Sequence, residues 1–424
     1  IQNLSSSISF SEFNSKYIKQ FSIDNLDCLS WRVEGPFDSN YSLAILNREF
    51  SLALSKENSN VSIFSTEGPG DYDPNIDFIK EHRELYNLYN YSKKYNSEST
   101  IVVSRNLYPP RVNDLNSRIN MLHAYGWEES EIPSKWIYEF NLFLDGMTVM
   151  SNQVKKTLID SGFHKPILVC GLGVDHIKSY SQSKNLNLKA KNFRFLHISS
   201  CFPRKGIKVL LEAYGAAFTI NDDVSLIIKT FPNPHNKIYD LLDKYKKQNI
   251  NYPHIVLIED EYSPALLKSL YQYSNVYVAP SHGEGFGLPI AEAMSLSIPV
   301  ITTSWGGQLD FVSDENAWLI DYQYEYSQSH FNQFNSVWAV PSSNQLAKTM
   351  KYLKNANPLE IKNKVELAYN YITTNYSWKR TAEINTLFVK KLLKYKEKNN
   401  INLAVISTWN VKCGIANYTS SLIN

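Results

Sequence analysis

Two carboxylates with seven residues between them bracket a glycine-rich turn in Pro280-Ser281-His282-Gly283-Glu284-Gly285-Phe286-Gly287-Leu288-Pro289-Ile290-Ala291-Glu292. The apolar run Val276 to Ala279 ahead of it reads as a strand, and Pro289 suits the first turn of a helix behind it. The amides of Phe286, Gly287 and Leu288 then face outward at the positive end of that helix, an anion site suited to a diphosphate. Gly283, Gly285 and Gly287 allow close approach of backbone to ligand. Phosphate would repel both glutamates, so they are expected to accept hydrogen bonds from hydroxyls of sugars on either side of it. The plainer alternative is that Glu292 favours a helix N-terminus and the glycines form a turn. A dinucleotide fingerprint needs glycine where Leu288 stands, and a P-loop needs a Gly-Lys-Ser/Thr ending that is missing.

A second element, Ser199-Ser200-Cys201-Phe202-Pro203-Arg204-Lys205-Gly206, joins another strand to a helix beginning at Ile207. Adjacent cations there can neutralise a leaving diphosphate, although a solvated basic turn would look the same. Earlier in the chain, Glu34-Gly35-Pro36-Phe37-Asp38-Ser39-Asn40-Tyr41-Ser42 is the loop after the opening strand. His123 stands just after an apparent strand; a lone histidine is more often a packed or surface residue. Trp127, Glu128 and Glu129 follow, and an aromatic ring offers a sugar's apolar face a flat contact. Asp71-Tyr72-Asp73 lies in a Gly-Pro-Gly-rich loop with no third ligand in view and reads as a turn, so no metal site is expected.

These residues need a frame to hold them. Short β-like runs at Val61 to Phe64, Ile101 to Ser104, Thr148 to Ser151 and Ile167 to Cys170 alternate with helix-period stretches such as Ser42 to Leu54. The rhythm returns with Phe195 to Ser199, Ser225 to Lys229, His254 to Ile258, Val276 to Ala279 and Val300 to Thr302. This predicts an α/β protein of two doubly wound, Rossmann-like halves with a cleft between them. The expected organisation is an N-terminal extension (1–26), a first Rossmann-like domain (27–175), a connector (176–192), a second Rossmann-like domain (193–376) and a crossover helix (377–400). Leu403 to Ser407, a loop with Gly414, and Asn417 to Asn424 repeat the pattern that runs from Cys28 to Asn47, so 401–424 reads as the start of a second module.

Composition narrows the function. The 424 residues carry a formal net charge of +2 and are 43% hydrophobic, which fits neither a disordered tail nor a broadly basic nucleic-acid binder. No apolar run approaches the ~18–20 residues of a membrane span. Cys28, Cys170, Cys201 and Cys413 lie far apart, as expected of buried thiols in a reducing compartment, without a disulfide framework or a zinc site. A polar start in place of a leader reads as a cut. The expected location is the cytoplasm, with at most peripheral contact at the inner face of the membrane.

The combination G-E-G-F-G-L-P-I-A-E-A-M, followed by Pro299-Val300-Ile301 and Gly306-Gly307, resembles the retaining glycosyltransferases of family 4, which share the GT-B fold with glycogen synthase. The resemblance covers about residues 30 to 398. It implies hexosyl transfer from a nucleotide diphosphate sugar to a glycan or lipid-linked glycan in cell-surface polymer synthesis, without a metal cofactor. It further implies that Glu292 binds the ribose and that Glu284 lies beside the donor sugar with the Gly285 to Leu288 amides. Arg204 and Lys205, next to Ser200, would meet the diphosphate; where the family often has an earlier arginine, this chain has Ser199 and Ser200. The loop of Gly35, Ser39 and Tyr41 would face donor phosphates and acceptor, and His123 would contact the donor sugar. Rival readings are a phosphorylase or epimerase on the same architecture, and a catalytically silent glycan-binding module serving a further transferase module of the same polypeptide.

Overall fold

The computed structural model describes residues 29–398 apart from 59, 94–99, 330–332 and 334. The expectations for the N-terminal extension, Cys28, Cys413 and 401–424 lie outside the described residues. The fold is GT-B, two α/β units each built on a six-stranded parallel sheet.

In the first unit β1 (Trp31–Glu34) enters α1 (Ser42–Glu57), which returns to β2 (Val61–Phe64). A small hairpin, β3 (Thr66–Glu67) and β4 (Gly70–Asp71), and two helices, α2 (Ile76–Lys80) and α3 (Arg83–Ser92), follow. The chain then runs through β5 (Val102–Arg105), β6 (Ile119–Tyr125), α4 (Ser134–Phe143), β7 (Gly146–Val149), α5 (Asn152–Asp160) and β8 (Ile167–Val169). The sheet order is β2-β1-β5-β6-β7-β8. Helices cover both faces, so strands such as Trp31–Glu34 are buried throughout rather than alternating.

A short helix α6 (His176–Ser179) and an irregular stretch lead to the second unit. There β9 (Phe193–Ile198), α7 (Ile207–Ala217), β10 (Val224–Lys229), α8 (Ile238–Gln248), β11 (His254–Ile258), α9 (Pro264–Tyr273), β12 (Val276–Ala279), α10 (Leu288–Ser295), β13 (Val300–Thr303) and β14 (Trp318–Ile320) wind up a sheet ordered β11-β10-β9-β12-β13-β14. An antiparallel hairpin, β15 (Tyr322–Tyr326) and β16 (Val337–Pro341), projects before α11 (Ser343–Asn355) and α12 (Pro358–Asn375).

The final helix α13 (Trp378–Lys398) leaves the second unit and packs on the first. Thr148 Oγ1 donates to Asn385 Oδ1 at 2.7 Å, and a Cβ at Gly146 would stand 2.9 Å from the Phe388 ring. One continuous core runs from Trp31 and Phe50 through Leu172 and Val174 to Leu288, Ile290, Tyr376 and Phe388. At about 1.5–3 kcal/mol for each large apolar side chain removed from water, this shared core ties the two units together. Among the described residues no helix is long and apolar enough to cross a membrane.

Candidate active site

Strand order reverses between β9 and β12, so the loops leaving these strands lie side by side at the crevice where ligands of such sheets bind. One loop carries Arg204 and Lys205, the other Glu284. They are fastened together: His282 N donates to the Arg204 carbonyl at 2.7 Å, and a Cβ at Gly206 would fall 1.8 Å from the Pro280 carbonyl oxygen. Gly206 also has φ +70°, so no other residue fits this crossing.

Lys205 Nζ reaches Glu284 Oε1 at 2.6 Å and Oε2 at 2.8 Å, and Ser281 Oγ donates to Oε1 at 2.7 Å. Arg204 Nη1 lies 3.8 Å from the same carboxylate and 3.3 Å from the Gly283 carbonyl. Burial pushes the Glu284 carboxyl up, but Lys205 and Arg204 outweigh it and hold the group below its ordinary range. Burial and the Arg204 charge lower the Lys205 ammonium against the pull of Glu284. The cluster is a buried carboxylate clasped by the largely buried Lys205 ammonium and flanked by the partly exposed Arg204 guanidinium.

Glu292 sits one turn inside α10, behind Gly287, whose φ of +88° begins the helix. The carboxylate is 3% exposed and accepts from His176 Nε2 at 3.0 Å and from the Tyr271 hydroxyl at 2.8 Å. The Trp378 indole, a donor only, stands 3.1 Å from His176 Nδ1, so Nδ1 accepts and Nε2 carries the proton given to Glu292. Two of roughly four acceptor positions on the carboxylate are thus filled by protein. His176, Tyr271 and Trp378 were not singled out from sequence. They come from three distant segments, and only folding joins them.

In the first unit the Gly35 loop leaves β1 at the corresponding reversal between β1 and β5. Asn47 of α1 secures it: Nδ2 donates to the Pro36 and Asn106 carbonyls, both at 2.9 Å, and Oδ1 faces His123 Nε2 at 2.8 Å. A Cβ at Gly35 would lie 2.3 Å from both Asn47 Nδ2 and the Asn106 oxygen. With Asn47 Nδ2 committed to carbonyls, His123 must donate through Nε2.

This corrects the expected place of His123. Strand β6 continues past it to Tyr125, so the ring is fully buried, stacks on Phe50 at 4.7 Å and presents no surface to the cleft. Burial pushes its pKa down to about 3. Because the folded value lies below the unfolded ~6.5, the neutral ring contributes stability that is complete above pH ~6.5 and is lost as pH falls toward 3. His123→Gln, which keeps a donor for Asn47, should lose about 2 kcal/mol less stability between pH 7 and 5 than the natural chain in urea titrations. Parallel pH profiles for the two proteins would contradict this account.

The segment after β6 also differs from expectation. The Trp127 ring is buried against Trp136 (centroids 5.5 Å) and donates to the Glu131 carbonyl, so it offers no open face to a sugar. Glu129 is buried and accepts from Ser327 Oγ at 2.8 Å and Ser336 Oγ at 2.9 Å. Glu128 reaches across the cleft to Arg204 Nη2 at 2.9 Å. Backbone contacts are as close: a Cβ at Gly283 would sit 2.1 Å from the Glu128 carbonyl oxygen, and Ser151 Oγ donates to the Gly285 carbonyl at 2.7 Å. The two units therefore meet directly over the glycine-rich loop. Farther out, the Ser39 carbonyl accepts from Arg48 Nη1 at 2.8 Å, and the half-exposed Tyr41 donates to Glu67 at 2.8 Å. Ser200 contributes its carbonyl to Asn233 Nδ2 at 2.9 Å. Asp71 accepts from Thr66 and Arg111, and among the described residues no group of three or more His, Cys, Asp or Glu is gathered as metal ligands would be.

Residues 179–333, which contain both loops, match the family model for glycosyl transferases group 1. This stretch is similar to group 1 glycosyltransferases. The chain is similar to the capsular polysaccharide biosynthesis glycosyltransferase CapM of Staphylococcus aureus, at 29% identity over 41% of this chain and 47% of that protein. It is also similar to the O-antigen chain mannosyltransferase B of Escherichia coli, at 32% identity over 28% of this chain and 30% of that protein. The matches span less than half the length of these relatives. Among solved structures, sucrose-phosphate synthase from Thermosynechococcus elongatus superposes with a TM-score of 0.62 at 16% identity, over 86% of this chain and all of that one. Anabaena Alr3699/HepE, solved with UDP and glucose, superposes with a TM-score of 0.57 at 14% identity and the same coverage of both chains. At such identities these likenesses speak for the shared fold.

Proposed function

We propose that the chain is a retaining, metal-independent hexosyltransferase of family 4 that moves a sugar from a nucleoside diphosphate donor to a glycan of a cell-surface polymer. The observation that carries this reading is the joining of the Arg204-Lys205 turn and the Glu284 loop at the sheet reversal of a stretch similar to group 1 glycosyltransferases. The UDP and glucose held by the Anabaena protein make a uridine diphosphate sugar the first donor to try.

In the proposed reaction the bond between the sugar's anomeric carbon and the diphosphate oxygen breaks. An acceptor hydroxyl oxygen bonds the same face of that carbon, and its proton passes to the departing phosphate oxygen. Lys205 and Arg204 offset the negative charge that grows on that oxygen, the amides at the start of α10 add to it, and Glu284 faces the sugar hydroxyls. Two side-chain cations and a helix N-terminus can serve where other enzymes use a divalent ion. Nucleotide release from a panel of donors, with and without acceptor and with excess chelator, tests the reading. Activity lost in chelator and restored by magnesium or manganese would overturn its metal-independent part, and the absence of release from every donor would favour the silent module.

The Glu128–Arg204 pair has a measurable consequence under this reading. Glu128 holds the cation that the diphosphate is to meet, so it must be displaced on binding. Both side chains are partly exposed, which keeps the pair weak. Glu128→Gln should tighten the binding of UDP by about two- to fivefold at low salt, with the gain shrinking as salt rises. Unchanged or weaker calorimetric affinity would show that Glu128 does not compete.

A further inference from the structure

The hairpin of β15 and β16 places Tyr322, Tyr324 and Tyr326 on one face, because alternate residues of a strand share a side. Their cross-strand partners Pro341, Ala339 and Val337 are uncharged, so the whole face carries no ionised group. Tyr324 is 58% exposed and Tyr326 70%. The strip begins at the candidate active site. Ala339 N on the neighbouring strand donates to the His282 carbonyl at 2.9 Å, which fixes the hairpin against the glycine-rich loop. Trp305, 8% exposed, packs between the two: its ring edge would lie 3.2 Å from a Cβ at Gly283, and its centroid is 6.2 Å from that of Tyr324, so it braces the hairpin on the loop. Tyr322 follows at 5.2 Å from Tyr324, with their hydroxyls 3.3 Å apart.

We propose that this face is a saccharide-binding strip that holds the acceptor chain beyond the Glu284 site. The inference rests on the transferase reading and adds the place of the acceptor's distal sugars. Three features of the face select a saccharide as its occupant. It is neutral, so an ionic ligand gains nothing there. Its rings end in hydroxyls, so it pairs apolar area with hydrogen-bonding tips, the chemistry of a sugar's own two sides. Tyr322 and Tyr324 stand 5.2 Å apart and are tilted by 71°, so a chain crossing them meets a ring face and a ring edge in turn. A second copy of the protein would need roughly 800 Å² of matching surface per partner, which three tyrosines on a two-stranded hairpin do not supply.

The test uses the full chain and its Tyr324→Ala/Tyr326→Ala variant on an array of neutral oligosaccharides from disaccharides to octasaccharides, beside calorimetry with UDP. The natural chain should be retained, more strongly as the saccharides lengthen, and the variant should lose about tenfold or more on the longer ones while binding UDP unchanged. Equal retention of the two proteins, no retention on any saccharide, or self-association that the variant abolishes would each overturn the proposal. Donor turnover is read separately by nucleotide release. A chain retained by its tyrosines yet releasing no nucleotide would therefore sink the transferase reading while supporting a saccharide-binding strip.

Discussion

Replacing Lys205 with alanine should lower turnover by about a hundredfold or more while changing the affinity for free UDP far less. The ammonium touches both oxygens of Glu284, so its charge is already held beside the glycine-rich loop. When a donor binds, the diphosphate brings negative charge that increases as the glycosidic bond lengthens. Only the increase separates transition state from ground state, so the loss should fall on kcat more than on KM. The substitution has a structural cost as well. It leaves a carboxylate that is 8% exposed with Ser281 and a more distant Arg204, and breaking a buried pair costs about 3–5 kcal/mol. The double variant Lys205→Ala/Glu284→Gln removes that orphaned charge. It should regain much of the lost thermal stability without regaining turnover, which separates the fold from the chemistry. A single variant with natural turnover would take Lys205 out of the reaction.

What could be read from the sequence follows the range of the interactions involved. Strand, glycine loop and helix are consecutive in the chain, so Val276–Ala279 and the turn behind it were legible residue by residue, and Gly287 does begin the helix. The strand order that sets the Arg204 turn beside the Glu284 loop is a property of the assembled sheet and left no local mark. His123 was misplaced because a parallel strand buried on both faces lacks alternation, so its end at Tyr125 could not be located. The partners of Glu292 lie 21, 116 and, through His176, 202 residues from the groups they meet, beyond the reach of any motif. The alternation Tyr322-Gln323-Tyr324-Glu325-Tyr326 was a readable strand signal. Its partner strand, Val337–Pro341, begins eleven positions after Tyr326, so the pairing itself is not local.

The two glutamates should separate under the same conservative change. At Glu292 the fold can absorb a glutamine: the amide oxygen accepts from His176 Nε2, the amide nitrogen donates to the Tyr271 oxygen, and the tyrosine proton turns to the Pro289 carbonyl 3.4 Å away. Only the charge is lost, and with it the stronger hydrogen bonds that a carboxylate makes to ribose hydroxyls. Ribose is present in donor and product alike, so Glu292→Gln should weaken UDP by about tenfold or more and spare kcat at saturating donor. Alanine at the same position leaves the buried His176 Nε2–H unpaired and should destabilise the protein instead. In the proposed reaction Glu284 has a different duty: its carboxylate holds Lys205 and would address a sugar that free UDP lacks. Glu284→Gln should therefore leave UDP affinity equal or improved, since Lys205 loses its competing partner, and lower transfer by about tenfold to a hundredfold. Calorimetry with UDP and steady-state transfer, run on both variants, give four numbers that the assignment must fit together. Equal losses of UDP affinity in the two would mean that Glu284 and Glu292 share one role, and the division into sugar side and ribose side would fall.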